Sequence, residues 1–307
     1  MRENSFGRAI AIVCADLHLS HKAPIWRSVE PDWYQAMWRS LTELRMLRMN
    51  VQDDTICPVL PVLCSGDVFD KWNSPPQLIN FAMKGLPKMY SIPGQHDIPN
   101  HNHDEMDKSA YRSLEGIRLF SPNDAAILLP EIKTDWYAWE KEPPQRKHEF
   151  NGISIIHRYV WSGDCKFPGA PPTSNAKAIA KEYDSRLVVC GDNHKGFYAE
   201  KYNVFNCGGF FRRNSDQVDY QPRVGIVYEN MKVIPYHLDT REDTHLPMMM
   251  AKELEAIQEN AESWIGKLRL LESSNSDYRV MMEDTMRKNN VLKEIRNYLL
   301  GVLDDES

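Results

Sequence analysis

The chain has 307 residues, of which 42% are hydrophobic and 26% charged, and a net charge of −6. That is the composition of a soluble globular protein with room for a substantial core, and it excludes a disordered, collagenous or coiled-coil chain. No window approaches eighteen uninterrupted apolar residues, so no membrane span is expected. The segment from Arg241 onward carries nine basic and fourteen acidic residues and so holds nearly all of the charge imbalance; bulk charge gives no support for nucleic-acid binding. The six cysteines form no CxxC pair, which fits a reduced, cytoplasmic protein.

The first apolar run, Ala9–Ala15, predicts a buried strand. Pro31 opens a helical pattern with Tyr34, Met37, Trp38, Leu41 and Leu44 on one face. Val59–Cys64 and Lys88–Ile92 predict further strands, with helices around Pro76–Lys84 and Ser109–Leu114. Two strands are expected within Asp124–Glu140, at Ile127-Leu128 and at Trp136–Trp139. Ile153–Ile156 and Leu187–Cys190 complete a set of five short apolar runs rich in Val, Ile or Leu. Residues 223–237 read as a hairpin that turns at Glu229-Asn230. From about Met248 the texture changes. Leu254, Ile257, Ala261, Trp264, Ile265, Leu268 and Leu271 form one helical stripe, and Val291, Leu292, Ile295, Leu299 and Val302 another, separated by Ser273–Ser276. The expected organisation is an α/β body over residues 1–240 and a helical hairpin over 247–307.

Each of the five runs ends in residue types that bind metals: VCADLH, LCSGDVFD, IPGQHD, IIH and VCGDNH. In open α/β folds, sites form beyond the carboxyl ends of strands. Asp16 and His18 stand two apart, so an extended backbone would point both to one side. Asp192 and His194 repeat that spacing. Gly66 before Asp67 permits a tight turn. Gly94-Gln95-His96-Asp97 offers an amide, an imidazole and a carboxylate able to orient the imidazole, and His157 closes a strand. His101, His103, Arg158, Tyr159, Arg212, Arg213 and Trp72 are further residues that could meet a substrate.

This ordered set, D-x-H, G-D, G-Q-H-D, H and G-D-x-H, resembles the calcineurin-like metallophosphoesterase family over residues of about 8–195. The stretches ADLHLS, SGDVFDKW and PGQHD are most similar to SbcD-type DNA repair exonucleases, and GQHD followed by Ile98-Pro99-Asn100-His101 to metallophosphoesterases encoded by bacteriophages. The resemblance implies a four-layer αββα sandwich of two mixed sheets flanked by helices. It implies two divalent metal ions, the first held by Asp16, His18 and His194, the second by Gln95, His157 and Asp192, with Asp67 bridging. His96 would stand by the scissile phosphate, with Asp97 behind it. Two residues depart from the family pattern: Gln95 replaces Asn, and Asp192 replaces His. Both favour a hard ion, Mn²⁺ or Mg²⁺, over Zn²⁺.

The implied activity is hydrolysis of a phosphodiester, DNA above all, by metal-activated hydroxide with His96 assisting the leaving group. A phosphomonoesterase or nucleotide pyrophosphohydrolase on the same centre is the enzymatic alternative. A scaffold subunit with an impaired second metal site is the non-enzymatic one. The C-terminal helices would pack on the body or, as the resemblance implies, dock to the coiled coil of an ABC-type ATPase; a homo-oligomer is also compatible.

Overall fold

A computed structural model of the chain describes residues 7–50, 59–128, 131–143 and 149–271. Among these, eleven strands form two mixed sheets. The first has the order β11-β10-β1-β2-β3-β4, and the second β5-β6-β7-β9-β8. Strands β1 (Ala9–Cys14), β2 (Val62–Cys64), β3 (Met89–Ser91) and β4 (Leu119–Phe120) run parallel. Strands β10 (Arg223–Tyr228) and β11 (Val233–His237) extend that sheet antiparallel, as the expected hairpin. In the second sheet β5 (Thr134–Tyr137), β6 (Phe150–His157), β7 (Ser185–Gly191) and β9 (Val204–Asn206) are parallel, and β8 (Phe197–Ala199) is antiparallel to β9.

Three apolar clusters show how the layers stack. Along β1 the side chains alternate, because successive residues of a strand face opposite ways. Ile12 and Cys14 join a cluster with Met37, Leu41 and Leu44 of α1 (Trp33–Asn50) and Leu78 and Ala82 of α2 (Pro76–Gly85). Val13 and Ala15 join a second cluster with Ile153, Ile155, Leu187 and Val189 of the other sheet. A bulge between Ala9 and Ala11 resets the alternation at the start of the strand. The outer face of the second sheet (Ile156, Val188, Cys190) packs on Ile179 and Tyr183 of α4 (Ala176–Tyr183). The result is helix, sheet, sheet, helix, the four-layer α/β sandwich expected from the sequence.

Several local expectations are corrected. Ile127 and Leu128 end a helix, α3 (Pro122–Leu128), and not a strand. Its start is signalled by Ser121-x-x-Asp124: the Asp124 carboxylate accepts from the Ser121 amide at 2.8 Å, and the Asp124 amide donates to Ser121 Oγ at 3.3 Å. Ser109–Leu114 forms only a 3-10 turn at Arg112–Leu114, too short for a stable α-helix. The first C-terminal stripe is helix α5 (Met248–Leu271); the second lies outside the described residues. No described helix is long and apolar enough to cross a membrane.

The chain divides into two compact units. The first runs to Ala23, then covers Glu30–Arg212 and Asp216–Thr244, and contains both sheets. The second joins Pro24–Val29 and Arg213–Ser215 to the chain from His245. Within it, Trp26 is buried, stacks on His245 and donates its indole N–H to the Leu246 carbonyl at 3.1 Å. The Glu255 carboxylate of α5 accepts from the amide and hydroxyl of Ser215. The second unit therefore draws on two short segments that sequence reading assigned to the body.

Candidate metal centre

The loops that leave β1 and β2 are bonded to one another. Ser65 N donates to Cys14 O, Asp16 N to Gly66 O, His18 N to Asp67 O and Leu19 N to Val68 O, all at 2.9–3.0 Å. Leu17, Leu19, Val68 and Phe69 are buried in the helix-side cluster. The intervening Asp16, His18 and Asp67 are left to turn toward a common centre. They do so with left-handed backbone: φ is 51° at Asp16, 42° at His18 and 53° at Asp67. The extended i, i+2 geometry expected for Asp16 and His18 is therefore not what brings them together, and Asp192, at φ 80°, departs in the same way. Such conformations cost about 1–3 kcal/mol each and concentrate at functional sites; Asp and His tolerate them better than most residues.

Two glycines make the close packing possible. Gly66, at φ 102°, passes so near His157 that a Cβ would lie 2.5 Å from the ring Nδ1. A Cβ on Gly94 would lie 2.1 Å from Asp67 Oδ1. Gly94 starts the 3-10 turn Gln95–Asp97, from which His96 N donates to Asp67 Oδ1 at 3.0 Å.

Five of the seven expected ligands meet. Ligand atoms of Asp16, His18 and His194 lie within 4.8 Å of one another, as do those of Asp16, Asp67 and His157. The Nε2 atoms of His18 and His194 approach to 3.0 Å. Asp67 Oδ2 lies 3.6 Å from His18 Nε2 and 3.4 Å from His157 Nε2. The Ser65 carbonyl, 2.6 Å from His157 Nδ1, can only accept, so it fixes the proton there and aims Nε2 at Asp67. Asp67 Oδ2 and His157 Nε2 are both fully buried and without a hydrogen bond. Buried polar atoms are nearly always bonded, so an orphaned carboxylate oxygen facing an orphaned imidazole nitrogen is what a cation site looks like. The donor set of carboxylates and imidazoles suits a divalent metal.

The other two expected ligands, Gln95 and Asp192, pair with each other: Gln95 Nε2 donates to Asp192 Oδ1 at 3.2 Å. The Asp192 amide in turn donates to the Asp16 carboxylate at 2.9 Å. His96 sits with its ring 4.7 Å from that of His18, edge to face.

The expected role of Asp97 is corrected. Its carboxylate accepts from the amides of Val68, Phe69 and Gly94 at 2.9–3.1 Å and so pins the loop after β2 to its own loop after β3. His96 Nδ1 instead meets the backbone carbonyl of Asp70 at 2.8 Å. Asp70 is the residue that sequence reading missed. Its carboxylate lies 3.6 Å from His18 Nδ1, and it groups with His18 and His96 as a third possible ligand set. The signal was present in the second Asp of GDVFD. Of the other candidates, Arg158 is paired with Glu182 at 2.6 Å, Arg212 bonds Tyr220 O and Thr240, and His103 bonds Trp139 O, so these serve local structure.

The electrostatics follow from burial. Burial opposes a charge on His157, but Asp67, Asp16 and Asp192 outweigh it and raise the imidazole pKa to about 10. Burial also works to raise Asp67, yet His157, His18 and His96 hold it well below the usual carboxylate range. Burial raises Asp16 and Asp192, and it pushes Asp97 up to about 7, with the charge of Asp67 adding to it against three amide bonds.

No protein-family model matches the chain, and no curated protein does. Among solved structures, the chain is similar to a metallophosphoesterase from Sphaerobacter thermophilus, with 12% sequence identity over 96% of this chain and 99% of that chain and a TM-score of 0.33. A likeness of that degree decides neither family nor activity, and the fold class rests on the two sheets and their flanking helices.

Two outcomes are expected. Gly94→Ala should displace Asp67 and sharply weaken Mn²⁺ binding in calorimetry while the circular dichroism spectrum stays folded. Because His157 is protonated below about pH 10 without metal, a cation ligated by Nε2 must displace that proton, so affinity should rise with pH across the neutral range. Calorimetric titration in buffers of different ionisation enthalpy should show proton release; a buffer-independent enthalpy would contradict it.

Proposed function

We propose that the protein is a metal-dependent phosphodiesterase, and that its substrate is DNA or another phosphodiester. The observation that carries this reading is the facing pair of orphaned atoms, Asp67 Oδ2 and His157 Nε2, at the meeting point of five strand ends. The order of the motifs along the sequence supports it. Asp16, His18 and His194 would hold one cation; His157, with Asp16 and Asp67, would hold another. Mn²⁺ or Mg²⁺ fits the carboxylate-rich set. Bound there, such ions supply a nucleophilic water at neutral pH and positive charge for the phosphate oxygens.

The remaining work falls to the chain. Asp67 fixes the distance between the two ligand groups, because its amide bond from His96 and its contacts with His18 and His157 leave it one orientation. His96 is held by the Asp70 carbonyl at Nδ1, which leaves Nε2 to deliver a proton to the departing oxygen. Asp97 acts at one remove, by locking the backbone on either side of Asp67 and His96.

One observation favours a single-metal form of this reading. Gln95 and Asp192, both expected at the second site, are bonded to each other. Metal content at saturating Mn²⁺ separates the cases, since one equivalent indicates the single-metal centre and two the dinuclear one.

The test is incubation of the protein with linear single- and double-stranded DNA, bis-p-nitrophenyl phosphate and p-nitrophenyl phosphate, with Mn²⁺ and with chelator. Metal-dependent cleavage of the diesters is expected. Cleavage of the monoester alone would replace the reading by a phosphomonoesterase. His96→Ala should keep Mn²⁺ binding and lose about 10²–10⁴ in turnover.

A further inference from the structure

The eighteen residues between β6 and α4 form a long connection that begins at His157, and connections of this length in compact domains are commonly binding loops. This one is tied to the candidate metal centre. Asn193, which stands between Asp192 and His194 and is only 4% exposed, donates its side-chain amide to the carbonyls of Val160 at 2.7 Å and Cys165 at 2.8 Å. Its own Oδ1 accepts from Lys195 N. The base of the loop is closed by Trp161 N to Ser174 O and Ala176 N to Trp161 O.

On this fixed base the loop presents aromatic rings and a cation. The Tyr159 hydroxyl accepts from Phe167 N at 3.0 Å, and the two rings lie 4.8 Å apart at 60°. Phe167 is 49% exposed. Lys166, also exposed, places its ammonium 5.1 Å from the Trp161 ring. A lone exposed Phe would be unremarked. Here it is braced by Tyr159 and flanked by a lysine, on a loop that Asn193 bonds at Val160 and Cys165. An exposed ring braced by a half-buried one beside a positive charge is the chemistry that holds a nucleobase and its phosphate.

We propose that Tyr159, Phe167 and Lys166 form a platform on which the base of a nucleotidyl ester stacks while its phosphorus lies at the metal centre. The proposal rests on the phosphodiesterase reading and narrows its substrate to esters that carry a nucleobase. Asn193 is the positioning residue that joins platform to centre.

The test uses the full chain with Mn²⁺ and two esters that share a leaving group, thymidine 5′-(p-nitrophenyl phosphate) and methyl p-nitrophenyl phosphate. Phe167→Ala should raise KM for the thymidine ester about tenfold, leave its kcat unchanged and leave the methyl ester unaffected. Phe167→Trp should keep the wild-type KM. Equal changes in both esters, or no change in either, would overturn the platform. If wild-type protein hydrolyses neither ester, the phosphodiesterase reading fails on its own account. The platform is then decided by equilibrium binding of fluorescein-labelled oligothymidylate in chelator: weaker binding by Phe167→Ala with recovery in Phe167→Trp upholds it, and equal binding by all three proteins refutes it.

Discussion

The site depends on one electrostatic constraint, the complete burial of the Asp16, Asp67 and Asp97 carboxylates, which three separate strand ends bring together. Buried charge is tolerated only when it is paired or hydrogen-bonded. The structure meets that demand by letting each carboxylate accept backbone amides from a different loop, Asp16 from Asp192, Asp67 from His96 and Asp97 from Val68 and Phe69, with Gly94 of its own loop adding a third bond to Asp97. The aspartates thus fasten the strand ends to each other, and the same bonds aim the imidazoles inward. What the amides leave over, one oxygen of Asp67 and one nitrogen of His157, is where the proposed cation finds its place.

The sandwich makes this convergence possible. Strands β1, β2 and β3 of one sheet and β6 and β7 of the other are parallel within their sheets, so their carboxyl ends emerge together. Ala15, Val13 and Leu63 pack against Ile153, Ile155 and Val189 between the sheets, which sets the distance between the two sets of loops.

Much of this was legible in the amino-acid sequence because it is written in short-range terms. Apolar runs marked β1, β2, β3, β6 and β7, and the residues just beyond them are those that cluster. Local competition was harder to read. Ile127 and Leu128 have strand-forming character, but the Ser121-Asp124 box had already committed the segment to a helix. The partner of His96 was misjudged for a different reason. Adjacency in sequence suggested Asp97, whereas the 3-10 turn directs successive side chains apart and a carbonyl 26 residues away takes the bond. The Gln95–Asp192 pair spans 97 residues, and neither side chain announces the other.

The left-handed backbone at Asp16, His18, Asp67 and Asp192 acts as a filter on mutation that is separate from any chemistry at the side-chain tip. Asn shares the tolerance of Asp for this region, and β-branched or bulky residues do not. An Asp67→Val protein would therefore be injured twice, by the lost carboxylate and by a backbone it cannot comfortably adopt, and inactivity in it would say little about ligation. Asn at these positions separates charge from conformation. Drift of the chain toward a purely structural role should accordingly run through Asn and Gly before it reaches any apolar residue.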